Sequence, residues 1–342
     1  MEVRHQKDSL TTSVGVKNSE FKKPVLQTDT QRFLDKLAAQ GSKPIYELSY
    51  EEARKVLEGL QAGEISKPAV DIEDRVLPVG PGKEVSIRIF RPEGDKSLLP
   101  VVMYFHGGGW ILGSKNTHDR LLCELTAKSG AAFVFVNYTP SPEAQFPTAI
   151  EEAFAVTEYI ASFGHEMNLD AHRLAVAGDS AGGNMATAVC LLAKDQGYPN
   201  ISYQALLYPV TDASLNTESH RQFANGYWLS TAAMGWFWDA YCPDRKDRER
   251  VIVSPLKATV NQLMHLPPTL VITAEADVLR DEGQAYARKL LEAHIDVTAV
   301  CYQGTIHDFM MLNALADTPA AKSATSLTAE KLKQALARAP LH

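Results

Sequence analysis

The sequence predicts an α/β fold: a mostly parallel central sheet with helices packed on its faces. Two observations lead there. Short apolar runs rich in β-branched and aromatic residues recur at Val85–Phe90, Val101–Phe105, Ala132–Val136, Leu174–Ala177, Ala205–Tyr208, Leu270–Thr273 and Val297–Tyr302. Such runs suit strands buried on both faces of a sheet. Longer helical patterns lie between or after them, at Asp119–Lys128, Ala149–Ser162, Gly183–Lys194, Asp281–Ala293 and Lys322–Leu336. Strand alternating with helix points to a parallel sheet covered on both sides.

Ahead of this region the chain reads differently. Residues 1–27 form a polar lead-in. Two amphipathic helices follow. Gln31–Ala39 carries Phe33, Leu34 and Leu37 on one face, and Tyr50–Leu60 carries Ala53, Val56, Leu57 and Leu60. Gly41 and Gly63 are natural stops. Helices this short do not hold alone in water, so each must pack on something.

Composition narrows the class. The chain has 342 residues, 45% hydrophobic and 22% charged, which is ordinary for a soluble globular protein. A chain of this size buries a large core without a metal or disulfide staple. With 34 basic and 41 acidic residues the net charge is −7, against the basic face that nucleic-acid binding requires. Cys123, Cys190, Cys242 and Cys301 are far apart with no CxxC pair, so they read as free thiols of a reducing compartment. Met1–Leu10 lacks an apolar signal core, and no apolar run reaches the ~18 residues of a membrane span. A cytoplasmic location is the expectation. A homodimer is compatible with the sequence, which does not fix the oligomeric state.

The chemistry starts at Gly178-Asp179-Ser180-Ala181-Gly182, a G-x-S-x-G pentapeptide. Alone it is a weak signal. Here Arg173–Ala177 reads as a strand leading in and Gly183–Leu192 as a helix leading out, the strand–turn–helix setting of a nucleophilic serine. The glycines keep side chains away where strand and helix nearly touch, and the helix N-terminus supplies positive potential for a developing oxyanion. Gly-Asp-Ser-x-Gly-Gly superficially resembles the chymotrypsin-like proteases, but those are β-barrels whose histidine precedes the serine.

A second glycine cluster, His106-Gly107-Gly108-Gly109-Trp110, follows the run Val101–Phe105. Consecutive glycines at a strand end let backbone N–H groups converge on one point. Two of Gly107, Gly108 and Gly109 are expected to donate to an oxyanion together with Ala181. His106 is expected to hold the loop by hydrogen bonds. Trp110 is either packing for that loop or the wall of a pocket.

A serine on such a turn needs an acid and a base in the chain order Ser, Asp or Glu, His. Asp277 and His307 fit, each just past the end of a strand, where ligands collect in open α/β sheets. Glu275, Asp281 and Glu282 are alternative acids. His294 precedes a strand and is a poor base.

With these motifs assembled, the chain resembles the hormone-sensitive-lipase-like esterases, bacterial GDSAG-type carboxylesterases of the α/β-hydrolase fold. His106–Trp110, Gly178–Asn184, Asp277–Gly283 and His307-Asp308-Phe309 carry the resemblance, with weaker echoes at Tyr208-Pro209, Gly226-Tyr227 and Ser254–Leu256. It implies an eight-stranded sheet and a helical cap, made by residues 1–70 with a contribution from about 212–250, on a catalytic domain over 71–342. It implies cofactor-free, metal-free hydrolysis of short- to medium-chain acyl or aryl esters. Trp110, Asp179, Tyr227 and Phe309 are the residues expected to line the substrate site. One departure is visible. Family members often carry Asp-Tyr-Arg-Leu-Ala-Pro-Glu where this chain has Asn137-Tyr138-Thr139-Pro140-Ser141-Pro142-Glu143, so a structural salt bridge is expected to be absent. An amidase, peptidase or lactonase on the same triad, or a non-catalytic small-molecule receptor, are the competing functions.

Overall fold

In the computed structural model, which describes residues 23–337, the chain opens with helices α1 (Thr28–Gln40) and α2 (Tyr50–Gln61). The expected lead-in over 1–27 lies almost wholly outside the described residues. A reciprocal cap starts α2: the Glu52 N–H donates to Ser49 Oγ at 3.2 Å and the Ser49 N–H donates to the Glu52 carboxylate at 2.9 Å.

The sheet is built from β1 (Val70–Leu77), β2 (Val85–Pro92), β3 (Leu99–Phe105), β4 (Ala132–Asn137), β5 (Leu169–Asp179), β6 (Tyr203–Leu207), β7 (Thr269–Ala276) and β8 (Val297–Ile306). The strand order is β1-β2-β4-β3-β5-β6-β7-β8. β2 runs antiparallel to both β1 and β4, and the remaining pairings are parallel. In chain order the helices of this region are α3 (Asp119–Ser129), α4 (Thr148–Phe163), α5 (Ala181–Gln196), α6 (Glu218–Gln222), α7 (Thr231–Tyr241), α8 (Val260–Leu263), α9 (Arg280–Glu292) and α10 (Pro319–Ala337). Along β3 and β4 Val101–Phe105 and Ala132–Val136 are fully buried, as strands covered on both faces must be. Among the described residues no helix is long and apolar enough to cross a membrane.

The short helices α6 and α8 escaped the sequence patterns, and so did two longer elements, β1 and α7. β1 is an edge strand whose Ile72 and Val76 are exposed, and only Leu77 is buried, so it lacks an apolar run. Its Asp74 stands opposite Arg88 of β2 in a 2.7 Å ion pair, a charged edge of the kind that discourages further strand pairing. α7 is apolar nearly all round, so it shows no amphipathic stripe. Its start is fixed by Ser230 Oγ, which accepts from the Ala233 N–H at 3.0 Å.

α2 packs on α7, α1 packs on Trp228 in the segment before α7, and side chains of α2 reach the loops that leave the strand C-termini. Phe33 of α1 contacts Trp228 at 5.7 Å between ring centres, and Tyr50 of α2 stacks on Trp236 of α7 at 4.9 Å. The Gln61 amide donates to the carbonyls of Thr117 and Met311 at 2.7 and 2.9 Å. Arg54 grips the departing loop. Its Nη1 and Nη2 bind both Glu143 oxygens at 2.7 and 2.6 Å, and its Nε and Nη2 bond the Ile111 and Ser141 carbonyls at 2.9 Å. The salt bridge between the family's usual Asp and Arg has no counterpart at Asn137 and Thr139, and the loop is held instead by a different ion pair, at Glu143. Its arginine comes from α2 instead of from within the loop.

Candidate active site

β5 ends at Asp179, and α5 begins at Ala181, so Ser180 is the whole turn between them. Its φ of 53° and ψ of −120° are conformations L-residues rarely adopt. Two bonds impose them: the Ser180 N–H donates to Leu207 O at 2.8 Å, and Ser180 O accepts from the Val210 N–H at 3.1 Å. The flanking glycines are obligatory. A Cβ on Gly182 would strike the Phe105 carbonyl, and one on Gly178 would strike the Gly182 carbonyl.

Asp277 and His307 leave the neighbouring ends of β7 and β8. His307 Nε2 lies 2.8 Å from Ser180 Oγ, and His307 Nδ1 lies 2.7 Å from Asp277 Oδ2. Asp277 Oδ1 accepts from the Leu279 N–H at 2.9 Å, which fixes the carboxylate. Ser180 exposes 4% of its surface, His307 2% and Asp277 1%, so water is largely excluded. Burial disfavours the imidazolium. The negative charges of Asp277 and then Asp308 outweigh it and push the His307 imidazole up to about 9. The alternative acids are engaged elsewhere. Glu275 accepts from the Gly304 N–H at 2.6 Å, Asp281 from the Ser219 N–H at 2.7 Å, and Glu282 faces His220 at 3.2 Å.

Asp179 is not at a substrate surface. It is wholly buried, and its Oδ1 accepts from Tyr104 Oη at 2.8 Å and from the Gly107 N–H at 3.1 Å, while Oδ2 lies 3.2 Å from His118 Nε2. Although burial resists the charge, His118 and these donors hold the carboxylate below its ordinary range. The bond from the Gly107 N–H ties the glycine loop to the turn at Ser180. Gly108 and Gly109 follow with φ of 100° and 60°. A Cβ on Gly109 would enter the Phe237 ring of α7.

His106 is a structural residue of this loop. Its ring stacks between Tyr138 at 4.2 Å and Phe135 at 5.1 Å, and Nδ1 sits 2.8 Å from Gly107 O. Burial, with His118 nearby, pushes it down to about 3, so it is neutral. Trp110 is fully buried, stacked at 4.1 Å on Tyr241 and tilted against Trp238, which makes it loop packing. Phe309 is buried between Tyr208 and Tyr302, and Tyr227 is half-buried against Phe223. Two residues beside His307 had no role in the sequence reading. Tyr208, at φ 38°, sets its ring edge-on to the imidazole with 5.0 Å between ring centres, and Asp308 Oδ1 lies 3.3 Å from Nε2. Their positions in the motifs Tyr208-Pro209 and His307-Asp308-Phe309 were the available signal.

The family described as the alpha/beta hydrolase fold matches residues 102–311. The chain belongs to that family and, within it, to the hormone-sensitive-lipase-like carboxylic ester hydrolases. Solved structures agree. A thermostable esterase from Pseudomonas putida superposes with a TM-score of 0.90 at 48% identity, covering 92% of this chain and 99% of that one. A fungal esterase from Rhizomucor miehei gives 0.87 at 40% identity, with 92% and 98% covered. An ethyl acetate hydrolase of Pseudomonas putida is 34% identical over 80% of this chain and 86% of its own.

Proposed function

We propose that this protein hydrolyses short- to medium-chain acyl or aryl esters with Ser180 as nucleophile, His307 as general base and Asp277 as the group that orients the imidazole. The reading is carried by one observation: His307 bridges Ser180 Oγ and Asp277 Oδ2 at 2.8 and 2.7 Å in a water-poor setting. His307 Nε2 takes the Ser180 proton as Oγ attacks the ester carbonyl. The Asp277 carboxylate holds Nδ1–H and stabilises the imidazolium without accepting the proton. The N–H groups of Gly108, Gly109 and Ala181 receive the oxyanion, Gly107 being committed to Asp179. His307 then protonates the leaving alcohol, and water activated by the same nitrogen releases the acid.

The helices before residue 70 and those within 212–250 act as a cap on the body over 71–342. Phe237 against Gly109 and Trp228 against Phe33 support this reading. Four free cysteines, three of them buried, support a reducing, cytoplasmic location. A series of p-nitrophenyl esters from acetyl to palmitoyl tests the proposal. A kcat/KM that peaks at short or medium chains is expected, and a peak at palmitoyl, or no hydrolysis, would contradict it.

A further inference from the structure

A second carboxylate beside the proposed base belongs to neither the triad nor the oxyanion loop. Asp308 follows His307 directly, at φ 62°, in the left-handed region that Asp enters more readily than most side chains. It is buried, yet its oxygens are treated unequally. Oδ2 accepts from Trp228 Nε1 at 2.9 Å. Oδ1 is buried, makes no hydrogen bond and lies 3.3 Å from His307 Nε2, the nitrogen that faces Ser180 Oγ at 2.8 Å. An unsatisfied buried carboxylate oxygen is expensive unless something cationic forms beside it. Trp228 itself has φ 75° and packs on Phe33 of α1, so the mooring runs into the helical layer.

We propose that Asp308 is a positioning residue for ester hydrolysis, held off hydrogen-bonding geometry by the Trp228 indole so that it sets how readily His307 Nε2 takes and keeps a proton. The proposal rests on the assignment of His307 as base. The imidazolium that forms during each acylation finds a negative oxygen already waiting beside Nε2, without displacing Ser180. The other charged and polar groups facing this nitrogen are Asp277 across the ring, Asp179 at the end of β5, the Ser180 hydroxyl and the Tyr208 ring from the end of β6. Asp277 serves Nδ1 and Asp179 is engaged by Tyr104, Gly107 and His118, so Asp308 is the carboxylate directed at Nε2. The indole N–H limits its pull: a freely rotating carboxylate would reach Nε2 and compete with Ser180.

The test is the His307 titration, read by NMR of the histidine-labelled full-length protein and assigned with His307→Gln. Asp308→Asn should lower the His307 midpoint by about one pH unit or more, the size of effect a neighbouring opposite charge exerts. The acid limb of kcat/KM should move down with it. Trp228→Phe should move the midpoint the other way, because the carboxylate is released toward Nε2. Opposite signs are not expected of damage to packing. Should Asp308→Asn fail to fold, Asp308→Gly removes the same charge in a residue suited to φ 62°. A midpoint that stays put or rises without the carboxylate would overturn the role of Asp308, and one that stays put or falls in Trp228→Phe would overturn the mooring. The triad reading fails separately, if Ser180→Ala hydrolyses esters at the wild-type rate.

Discussion

The nucleophile turn and the helical layer above it are held by different means. At the turn, backbone does the work: Ser180 is bonded through its own N–H to Leu207 at the end of β6 and through its carbonyl to Val210 just beyond it, and Gly178 and Gly182 leave no room for a methyl group. The layer of α1, α2 and α7 has backbone bonds only at its ends, Gln27 N–H to Gly304 O and Phe146 N–H to Tyr241 O, and is otherwise attached through side chains: Arg54 to the loop at Glu143, Gln61 to Met311, and Trp228, ahead of α7, to Asp308. Backbone constraints of the first kind admit almost no substitution. Side-chain attachments of the second kind can be rearranged while the body stays intact, so catalysis and substrate choice should respond to different mutations.

The sharpest break is Ser180→Ala, which should lower kcat by about 10⁵–10⁶ while circular dichroism and the unfolding midpoint stay near wild type. pH comes next. Only neutral imidazole can take the serine proton, and the His307 imidazole sits at about 9. A group so raised is protonated at neutral pH, so log kcat/KM should climb with unit slope below that value and level off above it. A profile that levels near 6.5, the ordinary histidine value, would mean the carboxylates around His307 exert no net pull. Gly182→Ala tests the backbone side of the comparison. Its methyl meets the Phe105 carbonyl, and denaturant unfolding should show a loss of about 3 kcal/mol, the upper end of the usual overpacking penalty.

How far these features were legible follows the same division. Ser180 was readable because strand, turn and helix are contiguous in sequence. Asp277 and His307 were readable because each follows an apolar strand, and the structure places them within 2.8 Å of their partners. The edge strand β1 was not, since an exposed strand carries Asp71, Glu73, Asp74 and Arg75 where a buried one carries valines. Side-chain direction was also out of reach. Nothing local says that Asp179 turns inward to Gly107 and His118, or that Arg54 supplies from another helix the cation missing beside Tyr138.

Smaller effects sharpen the account of the layer. Deleting residues 1–45 removes α1 and with it the Phe33 contact to Trp228. In a truncated protein that remains folded, the ratio of kcat/KM for butyrate and octanoate esters should change several-fold, as expected when part of a pocket wall is lost. An unchanged ratio would give the segment a purely structural role. The smallest effect is expected from EDTA. Among the described residues no group of three or more His, Cys, Asp or Glu is placed to hold a metal ion, and turnover should be unchanged. Loss on chelation, restored by a divalent metal, would contradict this.

The central claim is a covalent one, that the acyl group passes through Ser180 Oγ. Rapid mixing with p-nitrophenyl butyrate, an acid quench and peptide mass spectrometry read it directly. The butyryl mass should appear within the first turnover on the peptide that contains Ser180, and vanish in Ser180→Ala. Hydrolysis in which that peptide stays unmodified at every time point, or in which the butyryl group is found on another residue, would contradict the account.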